Sequence, residues 1–335
     1  MKKVAIIVSI IIVSALVAIY FAVKSNQNIE TLLKQFNNVQ SDGFYDAKTN
    51  AEAAGYIVSN KTTEGYRYGY VNYKGKLLLK PEYNQLYRVM DIENKDKVYI
   101  IAAKNGRYGV SLNGKTIINY EYQFIEYDGS TEKFILQKSS KYGVAKIDGE
   151  ILIPVENSNV EAKGIYLYVT KQDENKVYDK NGQIKEIDFN TTIMPTDNEE
   201  YYIKIVEENE SYLYGVVNKE EKEIIPAKYT YIEYIFEDYF IVCNENYLQG
   251  IADTNNNMKI DLKYNLVQKI QDTNIIMALD TENNKTELYS KQLEKICEIE
   301  EATVEVQSEN NENIIKIYNN KETKYFDANG REINK

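Results

Sequence analysis

Histidine is absent from this sequence, and so is tryptophan. Without histidine, nucleophilic triads of the usual kind are excluded, and a zinc site loses its commonest ligand. Cysteine occurs only as Cys243 and Cys297, too few and too far apart in the chain for a metal cluster. A disulfide would need their Cα atoms within about 7 Å, so both are expected as buried free thiols. Basic residues are in the minority, with Lys and Arg numbering 40 against 51 Asp and Glu, for a net charge of −11. Binding phosphates needs a basic stripe, so nucleic acid is not an expected partner. For an exported protein such acidity most simply serves solubility. Glycine-rich phosphate loops are also missing, and proline occurs four times.

What the chain does have is tyrosine, 31 of them, and many fall at fixed intervals. Tyr68-Gly69, Tyr108-Gly109, Tyr142-Gly143 and Tyr214-Gly215 are clear copies of one step, Gln249-Gly250 is a variant, and degenerate copies lie in phase at Lys176, Glu287 and Lys324. The steps between second positions run from 33 to 40 residues. A period of that length marks one supersecondary unit repeated, each copy burying its apolar face on its neighbours. An apolar β-rich run precedes each step, as in Val98-Tyr99-Ile100-Ile101-Ala102 or Tyr239-Phe240-Ile241-Val242. A turn follows (Asn113-Gly114, Asp148-Gly149, Asn181-Gly182, Asn329-Gly330), where Asn or Asp before Gly accepts the positive φ of tight hairpins. A third strand comes next, then a weaker fourth such as Tyr231-Ile232-Glu233-Tyr234.

Three of the four prolines, Pro81, Pro154 and Pro226, lie 11 or 12 residues past the repeat glycine. Lacking a donor, they are expected at strand ends. Each unit is thus an antiparallel meander of about four short strands. The fold class is all-β: a β-propeller of about seven to eight four-stranded blades, or an open β-solenoid or array of stacked hairpins. Seven units read as complete from about Gly55 to Glu305, with a shorter eighth that could borrow a strand from around Gly43-Phe44-Tyr45. The residues that define the repeat are therefore Tyr68, Gly69, Tyr108, Gly109, Tyr142, Gly143, Tyr214, Gly215, Pro81, Pro154 and Pro226. Tyrosine at these positions reads as packing, with a carbohydrate-stacking surface as the other reading.

The run Tyr68-Gly69-Tyr70-Val71-Asn72-Tyr73-Lys74-Gly75-Lys76, followed by an apolar triplet, Pro81 and Tyr83, resembles the WG-containing repeat family, also called KWG β-repeats. Lys141-Tyr142-Gly143-Val144 and Tyr214-Gly215-Val216-Val217-Asn218 match again, with Asn218 and Asp179 at the acid-or-amide position. The resemblance covers most of residues 55 to 335, and the departure is that tyrosine or a smaller residue replaces each family tryptophan. It implies a β-rich, non-catalytic surface module of a kind frequently exported by bacteria, with no catalytic residues to transfer.

Ahead of the repeats, Lys2-Lys3 precedes an uncharged run of twenty residues, Val4 to Val23, thirteen of them Ile, Val, Leu or Phe. At about 1.5 Å per residue this matches a hydrocarbon core of ~30 Å, and the sum of side chains favours insertion. A cleavable signal has a shorter apolar region and a small-residue cleavage site, which Tyr20-Phe21-Ala22-Val23-Lys24 does not supply. Residues 1–24 are therefore expected as an uncleaved transmembrane signal anchor in a single-pass cell-membrane protein whose C-terminal domain faces out, the alternative being secretion after cleavage. Residues 25–54 read as a stalk, partly helical, since Ile29, Leu32, Leu33 and Phe36 share a helix face. Residues 55–335 read as the repeat domain.

Candidate chemistry is sparse. Asp253-Thr254-Asn255-Asn256-Asn257 resembles the start of a calcium loop, but it lacks the sixth-position Gly, has Tyr264 where the bidentate Glu belongs, and coincides with a hairpin turn. The acidic runs Glu207-Glu208, Glu220-Glu221 and Glu298 to Glu301 alternate between strand faces and read as solvated edges. No cofactor, metal or catalytic residue is assigned. The expected function is a non-enzymatic binding or scaffolding ectodomain on a bacterial membrane, with a protein or cell-wall partner. The alternatives are a structural spacer or assembly protein of the envelope, and a carboxylate-dependent propeller hydrolase.

Overall fold

The computed structural model describes residues 29–42, 55–89, 96–309 and 312–335. The expected anchor over residues 1–24 lies outside them. Among the described residues no helix is long and apolar enough to cross a membrane.

Local turn chemistry decides the hairpins. Asn105 and Gly106 take φ of 53° and 72°, and Asn113 and Gly114 take 51° and 85°. Two successive positive φ values make the I′ type of turn, whose twist matches the strands it joins. Strand Tyr99–Lys104 is thereby folded onto Arg107–Leu112, and that strand onto Lys115–Tyr122.

The product is eight four-stranded antiparallel sheets. Sheet 1 comprises Asn38–Ser41, Gly55–Thr62, Gly65–Asn72 and Leu77–Tyr83, and sheet 2 comprises Gln85–Arg88, Tyr99–Lys104, Arg107–Leu112 and Lys115–Tyr122. Sheets 3 to 8 follow over residues 124–157, 159–185, 191–229, 231–264, 266–300 and 303–333. Two compact units divide them. One runs through Ala162 and takes in Leu167–Lys185, holding sheets 1 to 4; the other comprises Lys163–Tyr166 and Glu186–Lys335, holding sheets 5 to 8.

The sheets are phased one strand away from the sequence expectation. The weak fourth strand of each expected unit is the first strand of the next sheet, so the eighth sheet is complete, with strands Thr303–Glu309, Glu312–Tyr318, Thr323–Asp327 and Glu332–Ile333. The segment around Gly43-Phe44-Tyr45, considered as a donated strand, lies outside the described residues. Sheet 1 takes its first strand from Asn38–Ser41, so it reaches back across the boundary expected at residue 55. Ahead of that strand, residues 29–33 form a short helix. Ile29 of this helix sits where a side chain on Gly75 would otherwise be.

At five of the seven joints a single polar residue explains the phasing. Asn84, Gln123, Ser158, Thr230 and Asn265 each stand alone between two sheets. Each donates its backbone N–H to a carbonyl of the sheet that follows: Ala103, Gln137, Thr170, Cys243 and Leu279, at 2.8–2.9 Å. Their side chains bond forward as well. Asn84 Oδ1 accepts from Asn105 N at 3.0 Å, Gln123 Oε1 from Ser139 N at 2.7 Å, and Asn265 Oδ1 from Thr281 N at 2.8 Å. A buried or half-buried backbone must find partners, and here the ladder is handed to the next sheet within one residue.

Apolar clusters then bind consecutive sheets within each unit. Tyr99, Ile101 and Val110 of sheet 2 pack with Phe134, Leu136 and Ala145 of sheet 3. Ile241, Ile251 and Ile260 of sheet 6 pack with Val267, Ile276 and Ala278 of sheet 7. Burying one such Ile or Leu contributes about 1.5–3 kcal/mol, and the pattern is the nearest-neighbour stacking of repeat proteins. Cys243 and Cys297 are both buried and unbonded to each other.

Candidate functional site

The repeat-defining residues come together at one structural device. Between the third and fourth strands the ladder slips twice: Tyr68 faces Tyr83, Tyr70 faces Leu79 and Val71 faces Leu77. The same double shift recurs at Tyr108, Tyr142, Tyr214 and Gln249. The outer strand therefore carries a bulge, and Pro81, Pro154 and Pro226 lie within it, inside Leu77–Tyr83, Ile151–Asn157 and Glu223–Tyr229. This corrects their expected place at strand ends; a proline is tolerated mid-strand where the bulge leaves no ladder bond to lose.

The bulged backbone leans over the repeat glycine. A Cβ on Gly69 would lie 2.5 Å from the Leu79 carbonyl oxygen, on Gly143 2.7 Å from that of Ile153, and on Gly215 2.6 Å from that of Ile225. At Gly109 the oxygen of Ile118 and the ring of Tyr120 both lie 2.8 Å away. Close approach, not positive φ, is what the step requires. The next residue points into the core, where Tyr70, Val110, Val144, Val216 and Ile251 are fully buried. The step tyrosines themselves are half-buried packing residues: Tyr108 OH donates to Gln85 Oε1, Tyr142 OH accepts from Gln137 Nε2 at 2.9 Å, and the Tyr214 ring lies 6.5 Å from that of Tyr231.

The degenerate copies obey the same rule in reverse. Where Lys176 and Lys324 replace the glycine, the fourth strand shrinks to Ile184–Lys185 and Glu332–Ile333. At Glu287 the strand pairs without a bulge at that position, Glu287 facing Glu298. The Glu287 carboxylate is buried and accepts from Tyr264 OH at 2.8 Å and from Tyr289 OH. Burial, then those hydrogen bonds, push the Tyr264 phenol far above its ordinary range and that of Tyr289 up to about 12.

The calcium-like string is a hairpin loop. Asp253 Oδ1 accepts from Asn255 N and Asn257 N, both at 2.9 Å, and Lys259 Nζ lies 3.0 Å from Oδ2. Asn72, Asp179, Asn218, Asn244 and Asp327 organise equivalent loops by the same side chain-to-backbone bonds. Asx turns account for the residue type. The fourth loop position is left-handed in each, and at Tyr247 (φ 60°) an aromatic 78% exposed occupies it. A bulky side chain there costs about 1–2 kcal/mol with no packing in return.

Among the described residues no group of three metal-ligating side chains could hold an ion. A cleft of about 490 Å³ in the second unit is lined by Glu298, Glu300, Glu301, Glu322, Tyr318 and Lys321, among others. Its chemistry is that of ion pairing. Lys285 Nζ lies 2.6 Å and Lys295 Nζ 2.7 Å from the two oxygens of Glu298, holding its carboxyl down at about 2. Among the described residues the other carboxyl groups with a displaced titration, Glu82, Asp96, Asp253, Asp280 and Glu305, also move down. A glycosidase-type general acid requires the opposite shift.

The first strand of each sheet is one of its two edges. Gln85–Arg88, Phe124–Asp128 and Tyr231–Phe236 expose alternate positions. Tyr87 is 42% exposed, Phe124 44% and Tyr231 42%, each on such a strand. Tyr87 OH donates to the Ile125 carbonyl at 3.1 Å, which fixes its ring beside the Phe124-Ile125-Glu126 segment. Burial, then Tyr108 and Glu126, push the Tyr87 phenol up to about 12. Nothing in the periodic Tyr-Gly reading points to this edge. The signal was the alternation of aromatic and carboxylate in Phe124-Ile125-Glu126 and Tyr231-Ile232-Glu233.

No curated protein matches the chain. Among solved structures, a eukaryotic initiation factor is 9% identical with a TM-score of 0.36, covering 84% of each chain. BamB from Moraxella catarrhalis is 11% identical with a TM-score of 0.29, covering 87% of this chain and 91% of its own. The WD40 beta propeller domain of Doa1 is 13% identical with a TM-score of 0.23, covering 66% and 86%. Likenesses this distant carry no functional argument. The WG containing repeat model matches residues 68–108 and 214–247. Those stretches run from the Tyr-Gly steps of sheets 1 and 5 across the joint into the sheet that follows, and they are WG containing repeats with tyrosine in the place of tryptophan.

Proposed function

We propose that the chain is a non-catalytic binding or scaffolding module, held on the outer face of a bacterial membrane by the apolar run Val4 to Val23. The observation that carries this reading is the set of exposed first-strand edges, which recurs from sheet to sheet while the carboxyl chemistry is spent on ion pairs and turns. A repeated surface suits recognition of an extended partner. The eight sheets serve as the blades of a propeller in this reading. Solution scattering tests that arrangement: a closed body of this length has a radius of gyration of about 20 Å, and a clearly larger value would mean an open array.

The functional test is chemical cross-linking of the full chain on intact cells with a membrane-impermeant reagent, followed by affinity recovery. A stoichiometric protein or cell-wall adduct supports the binding module. Cross-linking only to itself favours a structural spacer, and no reaction without lysis would falsify outward display.

A further inference from the structure

We infer that the edge built by Tyr87, Phe124 and Glu126 is a docking surface for a cationic partner, an extended polypeptide segment bearing lysine or arginine. The inference rests on the binding-module reading and names the chemistry of its partner. Its first support is a difference in how carboxylates are used. In the first unit, glutamates on the fourth strands are each matched to a lysine of the following sheet: Glu82 to Lys104 at 2.7 Å, Glu121 to Lys138, and Glu156 to Lys171 at 2.6 Å. Glu126, exposed on a first strand, has no such lysine among the described residues. It stands two residues from Phe124, so both side chains leave the strand on the same face.

The second support is the aromatic setting. Tyr87 and Phe124 are large and exposed, and among the described residues no basic side chain covers them, whereas other rings, such as those of Tyr122 and Tyr229, carry a lysine nitrogen 5.9 and 5.1 Å from their centres. A ring face attracts a cation through its quadrupole, and an adjacent carboxylate adds Coulomb attraction. The Tyr87 hydroxyl is already committed to the Ile125 carbonyl, so its ring is positioned before any partner arrives. On a chain of net charge −11, long-range steering also favours a basic partner. The second unit repeats the combination at Tyr231 and Glu233, whose side chains are hydrogen-bonded at 2.8 Å.

The test uses the full chain in non-ionic detergent and a labelled peptide of alternating lysine and alanine, read by fluorescence anisotropy. A peptide with glutamate in place of lysine and a chitosan oligomer serve as comparisons. The lysine peptide is expected to bind, and Glu126→Gln or Phe124→Ala to weaken it about two- to fivefold each. Charge reversal in Glu126→Lys should cost more, while Glu121→Gln, which removes a paired charge elsewhere, should leave the affinity within error. These side chains are exposed, so the variants should keep the parent melting temperature. Equal losses from Glu121→Gln and Glu126→Gln, or binding of chitosan but not of the lysine peptide, overturn the inference. A partner recovered from cells whose binding ignores Glu126→Gln also overturns it while leaving the module reading intact.

Discussion

Gly69→Ala, Gly143→Ala and Gly215→Ala are each expected to destabilise the protein by about 3 kcal/mol, at the upper end of what overpacking costs. The added methyl would lie 2.5–2.7 Å from a backbone carbonyl oxygen, and backbone yields far less readily than the end of a flexible side chain. Relief would require the outer strand to lose its bulge, which displaces the proline at Pro81, Pro154 or Pro226 into a ladder position it cannot fill. Gly65→Ala makes the control. Gly65 has φ of +106° but nothing within 4 Å of a new Cβ, so it pays conformational strain alone, about 1–2 kcal/mol. Urea denaturation measures both, with the midpoint shifting at constant slope. If the bulge glycines tolerate alanine better than Gly65 does, close approach is not what the Tyr-Gly step encodes.

How much of this the sequence disclosed depends on the range of each interaction. The hairpin turns were legible because two residues settle them: Asn113-Gly114 needs only its own φ preferences. The period was legible because one glycine per unit is imposed by a close contact that recurs. The phase was not, because periodicity is blind to which sheet a strand joins. At five of the seven joints that choice is made by Asn84, Gln123, Ser158, Thr230 and Asn265, single polar residues whose bonds go to carbonyls 12 to 19 positions ahead. The bulge was hidden for a similar reason: Pro81 looks the same at a strand end as in a bulge until its partner strand is in place. The strand that carries the docking edge was read as the weak fourth strand of each unit, but its exposed side chains are not part of the Tyr-Gly signature. The aromatic position of Phe124 changes from sheet to sheet, as Gln85, Asn159, Tyr231 and Leu266, while the glutamate recurs at Glu161 and Glu233.

Breaking the ion pair between Asp42 and Arg88 should be the most damaging change in the first unit, costing about 3–5 kcal/mol for Asp42→Leu or for Arg88→Met. Arg88 Nε lies 3.0 Å from Asp42 Oδ2, with the two side chains 5% and 1% exposed. Asp42 also accepts from Gly55 N at 3.1 Å and from Tyr70 OH. Burial first, then the hydrogen bond to Asp42 and its negative charge, push the Tyr70 phenol far above its ordinary range. Removing either charge leaves the other buried and uncompensated. Removing both, in Asp42→Leu with Arg88→Met, should recover most of the loss, since apolar replacement of a buried pair is often neutral. A double-mutant cycle in urea reads the coupling, and additive losses would show that the two charges are not a pair. The placement explains why such a costly arrangement is worth keeping. Asp42 directly follows Asn38–Ser41, the first strand of the repeats, while Tyr70 and Arg88 belong to sheets 1 and 2. If the module is tethered through its N-terminal run as proposed, a pull along the tether reaches the array through the short helix carrying Ile29 and then this strand. There a charge buried against two sheets resists peeling better than the four exposed residues of the strand could alone. The single variants should therefore speed hydrogen exchange in Asn38–Ser41 and its partner strand before they affect sheet 3.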